Sequence, residues 1–206
     1  TNCSHLHQLY FYTDNADASS LSLLLERVTD DLNVTVLAGE NGQTTLRSAL
    51  FFPEYYEWLD EISPAHIFSR SIHGEGFRMR KCFTQGHLDY DKYDACLENA
   101  LKSESAQSLC QISLNRLRWP EGLKEERKFF YEQTVKKHLS EALTLAVREK
   151  DRTLLLFLSR QFMEDKDYTD GLALCQQADW GEGCALLMEA KPKQSFQKKT
   201  FTFDHW

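Results

Sequence analysis

The sequence predicts a mainly helical protein in which stacked helical hairpins form an α-solenoid. The first observation is the run LTLAVREKDRTLLLFLS, residues 143–159, in which a leucine-rich pattern breaks on polar residues and then resumes. The second is a similar pattern in residues 172–190, at an offset of 29 residues from Leu143 to Leu172. Repetition at about this period is typical of solenoids, because a single hairpin cannot bury its apolar face alone. The sequence leaves open a small α/β element at the N-terminus.

Composition and charge restrict the class of protein. The chain has 206 residues, enough for one domain or two small ones, and 42% of them are hydrophobic, which excludes a disordered chain. Its net charge of -7, without a basic block, argues against nucleic acid and anionic membranes as partners. No apolar run approaches the roughly 20 residues of a membrane span. We therefore expect a protein partner, no nucleic acid and no membrane, and the sequence leaves the oligomeric state open.

The cysteines indicate a reducing compartment. They form no CxxC motif and do not pair with histidine at zinc-finger spacing. Four of them lie among apolar residues at helical spacing: Cys96, Cys110, Cys175 and Cys184. We interpret these as buried structural thiols, which predicts a cytoplasmic protein without a metal or another cofactor.

The first part of the chain, residues 1–90, allows two interpretations. An amphipathic helix is predicted over residues 19–32, with Ser19 or Ser20 as its cap, between the strand-like segments LYFYT and NVTVLAG. This order predicts a strand–helix–strand unit in residues 8–39. The alternative is a continuous helical array, because three later segments also have helical patterns, two of them with Pro near the start. These segments are TTLRSALFF (44–52), PEYYEWLDEI (53–62) and SPAHIFSRSI (63–72), followed by the loop-like HGEGFRMRKCFTQGH (73–87).

Residues 91–192 are predicted to form helical hairpins. One helical stripe runs from Leu143 to Val147, and another apolar face covers residues 155–158. Asp151 followed by Thr153 can cap a new helix between them. We therefore expect a turn at EKDR and two short helices, not one long helix.

Two further copies of the hairpin support the repeat. The clear copy, LALCQQADWGEGCALLMEA, places Cys175 at the position of Ala146. A fainter copy in residues 97–117 places Ala100 at that same position, at an offset of 46 residues. A charged amphipathic helix in residues 122–139 fills the gap between the fainter copy and the first hairpin. A small residue at this shared position lets neighbouring helices approach closely.

The pattern AL-x-LA-x5-D-x3-LLLFL resembles an ankyrin repeat, which has a first helix with small residues, a short polar turn and a leucine-rich second helix. The resemblance covers about residues 93–190 and implies a non-enzymatic module for protein–protein interaction. The Thr-Pro-Leu-His opening of the family and the Gly that usually ends its second helix are absent from both clear copies. The copies therefore resemble degenerate ankyrin repeats. After Pro192, residues 193–206 are predicted to be an extended C-terminal tail.

The candidate partner-binding residues lie in the hairpin turns, because the turns of such arrays line the edge that repeat proteins use for binding. They are Asp151 and Arg152 in the first turn and Trp180 in the second, where it aligns with Asp151. An exposed Trp180 would anchor a partner, and the alternative is that it folds back as a cap. For the aromatic cluster FFPEYYEW, residues 51–58, burial in helix stripes is favoured over a partner-binding surface.

The alternative function is a cysteine hydrolase-like enzyme with its catalytic unit in the N-terminal part. Cys82 lies in a Gly-flanked loop, with His87 and His73 as candidate bases, and a thiolate paired with an imidazole is the nucleophile of such enzymes. No family motif surrounds Cys82, so the binding function is favoured. The acidic segment DYDKYD, residues 89–94, lacks the Gly and the distal Glu of a calcium loop and is interpreted as a solvated turn.

Overall fold

The structure is a computed structural model that describes residues 6–13, 17–40, 43–62 and 67–191. The described part is mainly helical, as predicted, and has a small three-stranded sheet near the N-terminus. Its strands are β1 (Gln8–Thr13), β2 (Leu32–Glu40), β3 (Gln43–Phe52), β4 (Tyr56–Ile62), β5 (Ile67–His73), β6 (Phe83–Thr84) and β7 (His87–Leu88). Its helices are α1 (Ser19–Leu25), α2 (Gly76–Met79), α3 (Tyr90–Ala95), α4 (Leu97–Ser103), α5 (Ala106–Arg118), α6 (Glu125–Lys137), α7 (Leu139–Arg148), α8 (Arg152–Gln161), α9 (Asp165–Gln177) and α10 (Gly181–Ala190).

The chain divides into two compact units between Ala142 and Leu143. The sheet and helices α1–α6 belong to the first unit, whereas the sequence placed the boundary at residue 90. The difference arises because α5 packs against β3 and α6, so the helices that follow residue 90 cover the sheet. The predicted tail, residues 193–206, lies outside the described residues.

The predicted strand–helix–strand unit is confirmed. Strand β1 pairs in parallel with β2, and α1 provides the crossover that a parallel pair requires. Leu21 and Leu25 of α1 are buried in the same core cluster as Val34 and Val36 of β2. Strand β3 then adds to β2 in antiparallel order, so β2 is the central strand.

Helix α1 is shorter than predicted. It ends at Leu25 instead of Leu32, and its N-cap is Ala18, while the side chain of Asp17 accepts hydrogen bonds from Ser19. Beyond the helix, the backbone carbonyls of Val28 and Asp30 accept hydrogen bonds from Arg80. A distant side chain therefore stabilises an irregular path where the apolar spacing alone predicts another helical turn.

The three segments of the helical-array alternative contain strands and no helix in their described residues, so that prediction is wrong. Residues 44–52 lie in β3, and the other two segments form the antiparallel hairpin β4–β5. Tertiary pairing with β2 overrides the local helical pattern of β3. The outer edge of β3 is covered by α3, because the hydroxyl of Tyr93 donates to Phe51 O (2.6 Å) and accepts from Phe51 N (3.2 Å).

The segment predicted as a loop, residues 73–87, contains the short helix α2 and one strand of the small hairpin β6–β7. Gln85 and Gly86 join these strands with φ angles of 52° and 80°. Positive φ at both central residues is the signature of the type I′ turn that two-residue hairpins prefer. This turn holds His87 opposite Thr84.

In the second unit the break in the leucine run is a turn between two helices, as predicted. Lys150 has a φ of 49°, Lys150 N donates to Val147 O (3.1 Å), and Asp151 N donates to Ala146 O (2.9 Å). This pair of bonds defines a Schellman motif. The matching turn has Asp179 at a φ of 49°, with bonds from Asp179 N to Gln176 O (3.1 Å) and from Trp180 N to Cys175 O (2.9 Å). The two turns therefore repeat at the predicted offset, and α10 packs against both α8 and α9.

The left-handed residues of these turns give a testable expectation. Glycine adopts this conformation without the steric cost of a Cβ atom, so Lys150→Gly should raise the free energy of unfolding by about 1 kcal/mol. Asp179→Gly should raise it by less, because Asp tolerates left-handed φ better than Lys. Urea denaturation followed by circular dichroism measures both changes. The control is Ala173→Gly, which places glycine at an exposed position inside α9 and should destabilise by roughly 0.5–1 kcal/mol. A destabilising effect of Lys150→Gly would contradict this description of the turn.

Candidate functional site

Asp151 and Arg152, which were predicted to bind another protein, interact with residues of the second unit itself. Asp151 is the N-cap of α8, and its Oδ1 accepts from Leu154 N (3.0 Å). Arg152 Nε lies 3.0 Å from Glu182 Oε1, and both side chains are at least half exposed. This pair joins the first turns of α8 and α10, so the two hairpins present one shared charged edge. An exposed pair of this kind contributes only about 0–1 kcal/mol to stability, which leaves both groups able to exchange partners.

Trp180 is not exposed on this edge. Only 5% of its surface is accessible, and its ring covers Gly183, where an added Cβ would overlap the ring. The Sγ of Cys175 also lies against this glycine. Of the two alternatives left open by the sequence, the structure therefore shows the inward-folded cap. The edge presents charge instead of a large aromatic anchor.

Cys82, the nucleophile of the alternative hydrolase function, is a buried thiol. It is 3% exposed, and its Sγ contacts Arg78 O at 3.5 Å and Cys96 Sγ at 3.8 Å. The hydrogen bond with Cys96 and burial both raise the pKa of Cys82 far above the ordinary value of a thiol. An activated cysteine nucleophile requires a lowered pKa, so this environment disfavours the thiolate.

The two candidate bases occupy different hairpins. His73 ends β5, and its ring stacks on Tyr56 with a centroid distance of 5.3 Å and an interplanar angle of 19°. His87 begins β7 and is exposed, and a backbone bridge joins it to Asp17. The structure thus places His73 beside an aromatic ring and gives Cys82 a second thiol as its neighbour.

A cluster of ionisable groups surrounds Cys96, and no pattern in the sequence marks it. Glu75 is 6% exposed, and no hydrogen-bond donor of the described residues reaches its Oε1. Burial raises the pKa of Glu75, while the Arg78 guanidinium and a hydrogen bond with Cys96 oppose that shift. Glu75 N donates to Glu104 Oε1 at 2.6 Å, which brings a second carboxylate to the cluster. Beside it lies an open cavity of about 560 Å³ whose polar lining includes Glu75, Arg78 and Lys102.

The acidic segment DYDKYD, residues 89–94, is only partly a solvated turn. Asp89 is the N-cap of α3, and its Oδ1 accepts from Lys92 N (3.0 Å). The hydrogen bond from Thr84 is the main reason that the pKa of Asp89 is lowered. Asp94, by contrast, is 1% exposed and paired with Arg116. It therefore belongs to the core, which corrects the prediction for that residue.

Several large apolar side chains are exposed on the hairpin β4–β5. The exposed fractions are 60% for Tyr56, 58% for Trp58, 66% for Leu59 and 37% for Ile72. The aromatic cluster of residues 51–58 is therefore divided. Phe51, Phe52 and Tyr55 are buried, while Tyr56 and Trp58 face solvent. The prediction that helix stripes bury most of this cluster is wrong about the secondary structure, because its residues lie in β3, in β4 and in the segment between them.

Comparison of the chain with protein-family models, with curated proteins and with solved structures gave no match. Of the helices in the described ranges, none has the length and apolar character needed to cross a membrane. In the same part of the chain, no three His, Cys, Asp or Glu side chains are grouped as metal ligands.

Proposed function

We propose that this chain is a non-enzymatic protein-binding protein, and that the hairpin β4–β5 carries the main contact. The observation behind the proposal is the exposure of large apolar side chains on both faces of this hairpin. Monomeric proteins rarely expose contiguous apolar patches of large area, and such patches mark interaction sites.

The register of the hairpin groups these side chains. Tyr56 pairs with His73, and Trp58 pairs with Ser71, so one face presents two aromatic rings with a stacked imidazole. Directly opposed residues in an antiparallel pair share a face of the sheet. Tyr and Trp are enriched at the energetic centres of protein interfaces because they bury a large area with few rotatable bonds. This face therefore has the chemistry of an anchor for a protein surface.

The base of the hairpin is held in place before any partner binds. Tyr55 is 8% exposed, its ring packs edge-to-face on Phe77, and its amide donates to Thr29 O (3.0 Å). In the same segment between β3 and β4, Glu54 N donates to Asp31 Oδ1 (2.7 Å). An isolated two-stranded hairpin is marginally stable in water, so this anchorage supports a pre-organised binding element.

The backbone of the hairpin also suits a protein partner. Among the described strands, β4 and β5 pair only with each other, so each has one edge that no described strand covers. An extended segment of another protein can add to such an edge by β-augmentation. Backbone hydrogen bonds would then supplement the aromatic anchor.

We also propose that the helical hairpins of the second unit act as ankyrin-like repeats that dock a protein partner. The repeated turn and the shared charged edge at Arg152 and Glu182 support this role. The buried Trp180 makes the edge a weaker candidate for the main contact than the β4–β5 hairpin. The raised pKa of Cys82 counts against the hydrolase alternative.

Substitution of Trp58 tests the proposal. The tagged full chain is used to isolate a binding protein from the source organism, and the affinity of the purified pair is measured by calorimetry. Trp58→Ala should weaken binding by about 2 kcal/mol or more, roughly 30-fold, because interface centres have costs of this size. The matched control is Phe129→Ala, which removes another exposed aromatic ring, 56% accessible, from α6. Unchanged affinity of Trp58→Ala, with weakened binding of Phe129→Ala, would reject β4–β5 as the contact surface.

A further inference from the structure

Two cysteines that are distant in sequence have their sulfur atoms close together in the first unit. Cys82 follows α2, and Cys96 joins α3 to α4. Their Sγ atoms are 3.8 Å apart, in contact but not bonded. A disulfide has a sulfur–sulfur distance of about 2.05 Å, so bond formation requires an approach of about 1.8 Å. Side-chain rotation and small backbone shifts can supply such a movement.

We propose that Cys82 and Cys96 form a dithiol site that a hydroperoxide oxidises to a disulfide, with Cys96 as the attacking thiol and Cys82 as the resolving thiol. This inference is independent of the proposed binding function.

The assignment of the two roles follows from their different surroundings. Cys82 is 3% exposed, whereas Cys96 is only partly buried, so an oxidant reaches Cys96 first. The hydrogen bond with Cys82 lowers the pKa of Cys96, and the same bond is the first reason that the pKa of Cys82 is raised. Thiolate character and accessibility together determine which cysteine reacts with a peroxide.

The charged groups around Cys96 belong to several elements. The Arg78 guanidinium of α2 favours the thiolate, while Glu75 before that helix opposes it. Glu75 also lines the open cavity of about 560 Å³, so this cavity adjoins a carboxylate that interacts with Cys96. The resolving sulfur, that of Cys82, lies in the core, because Cys82 belongs to the main apolar cluster.

The reaction balances in two steps. The Cys96 thiolate attacks one peroxide oxygen, the O–O bond breaks, and Cys96 becomes a sulfenic acid while the other oxygen leaves as hydroxide and takes a proton to form water. The Cys82 sulfur then attacks Cys96 Sγ and displaces its hydroxyl group, which leaves as water with the Cys82 proton. Two thiols lose two electrons in total, and one molecule of hydrogen peroxide is reduced to two of water.

The test uses the folded full chain with hydrogen peroxide, followed by alkylation under denaturing conditions and peptide mapping by mass spectrometry. The expected product is a linked peptide pair that contains Cys82 and Cys96, has lost two hydrogen atoms and is restored by dithiothreitol. In Cys82→Ser the sulfenic acid on Cys96 should persist and be trapped by dimedone. In Cys96→Ser peroxide consumption should fall by about tenfold, because the accessible thiolate is gone.

The matched control is Cys110→Ser. Cys110 is fully buried, its Sγ donates to His138 O (3.3 Å), and burial raises its pKa to about 12. This variant should form the linked pair as the unchanged protein does. The proposal is overturned if the pair appears only after unfolding in urea, or if Cys82→Ser yields no dimedone adduct on Cys96. Unchanged peroxide consumption by Cys96→Ser would also overturn it.

Discussion

Replacement of Arg80 by methionine is expected to lower the free energy of unfolding of the first unit by at least about 4 kcal/mol. Arg80 is 2% exposed and donates hydrogen bonds to five backbone carbonyls, those of Val28, Asp30, Phe52, Pro53 and Gly76. Methionine fills a similar volume but cannot donate, and each buried acceptor left without a partner costs about 1–3 kcal/mol. Whole domains have stabilities of only about 5–15 kcal/mol.

The charge of Arg80 supports the same expectation. Burial lowers its pKa to about 10, so the guanidinium is still protonated at neutral pH. The cation also lies over the rings of Phe52 and Tyr55, at 5.9 and 5.1 Å from their centroids. It therefore joins the end of β3, the approach to β4 and the irregular segment after α1.

Urea denaturation followed by circular dichroism measures the loss. Arg80→Lys keeps the charge but has a single ammonium group that cannot reach all five carbonyls, so it should lose about 2 kcal/mol or more. Arg78→Met is the control, because its side chain is 66% exposed and surface substitutions usually change stability by less than about 0.5 kcal/mol. Equal stabilities of Arg80→Met and Arg78→Met would show that the carbonyl contacts do not hold the unit together.

The second large effect is expected at the buried ion pair of Asp94 and Arg116. Both side chains are at most 1% exposed, and the pair is bidentate, with Nε–Oδ1 at 2.7 Å and Nη2–Oδ2 at 2.9 Å. The hydroxyl of Tyr131 also donates to Asp94 Oδ1 (2.7 Å). The network joins α3, α5 and α6. Arg116→Met would leave a buried carboxylate without its cation, at a cost of about 3–5 kcal/mol.

A double variant separates the ion pair from packing. Asp94→Leu combined with Arg116→Met removes both charges, and buried ion pairs replaced by apolar groups are often neutral in stability. Tyr131 then loses its acceptor, which costs about 1–3 kcal/mol. Urea denaturation should therefore find the double variant more stable than Arg116→Met alone by about 1–2 kcal/mol. A double variant less stable than the single one would mean that the cost arises from lost packing around Arg116.

Local signals in the sequence predicted the parts of the fold that depend on neighbouring residues. The strand–helix–strand order of residues 8–39 and the cap at Asp151 follow from alternation, helical spacing and turn chemistry within a few positions. The fainter copy also keeps its cap, because Ser105 accepts from Ser108 N (3.1 Å) at the position equivalent to Asp151. Its spatial setting was not predicted, since α5 packs against β3 in the first unit.

Features that depend on distant residues could not be predicted. The segment of β3 has a helical pattern and becomes a strand because β2 pairs with it. The end of α1 depends on Arg80, more than 50 positions away in the chain. The contact between Cys82 and Cys96 is also tertiary, since the two residues are 14 positions apart in the chain, and sequence spacing suggested histidines as partners of Cys82 instead. Arg80 and Arg116 each have only one apolar neighbour in the sequence, Met79 and Leu117, so no local pattern marked either arginine as buried.

Hydrogen exchange of the complex provides the most direct test of protein binding through the hairpin β4–β5. The amides of residues 56–62 and 67–73 are compared with and without the binding partner. We expect their exchange to slow by about tenfold or more in the complex, because burial and edge pairing protect amides from solvent. Protection confined to α7–α10, with no change in the hairpin, would contradict the account and would place the contact on the helical repeats.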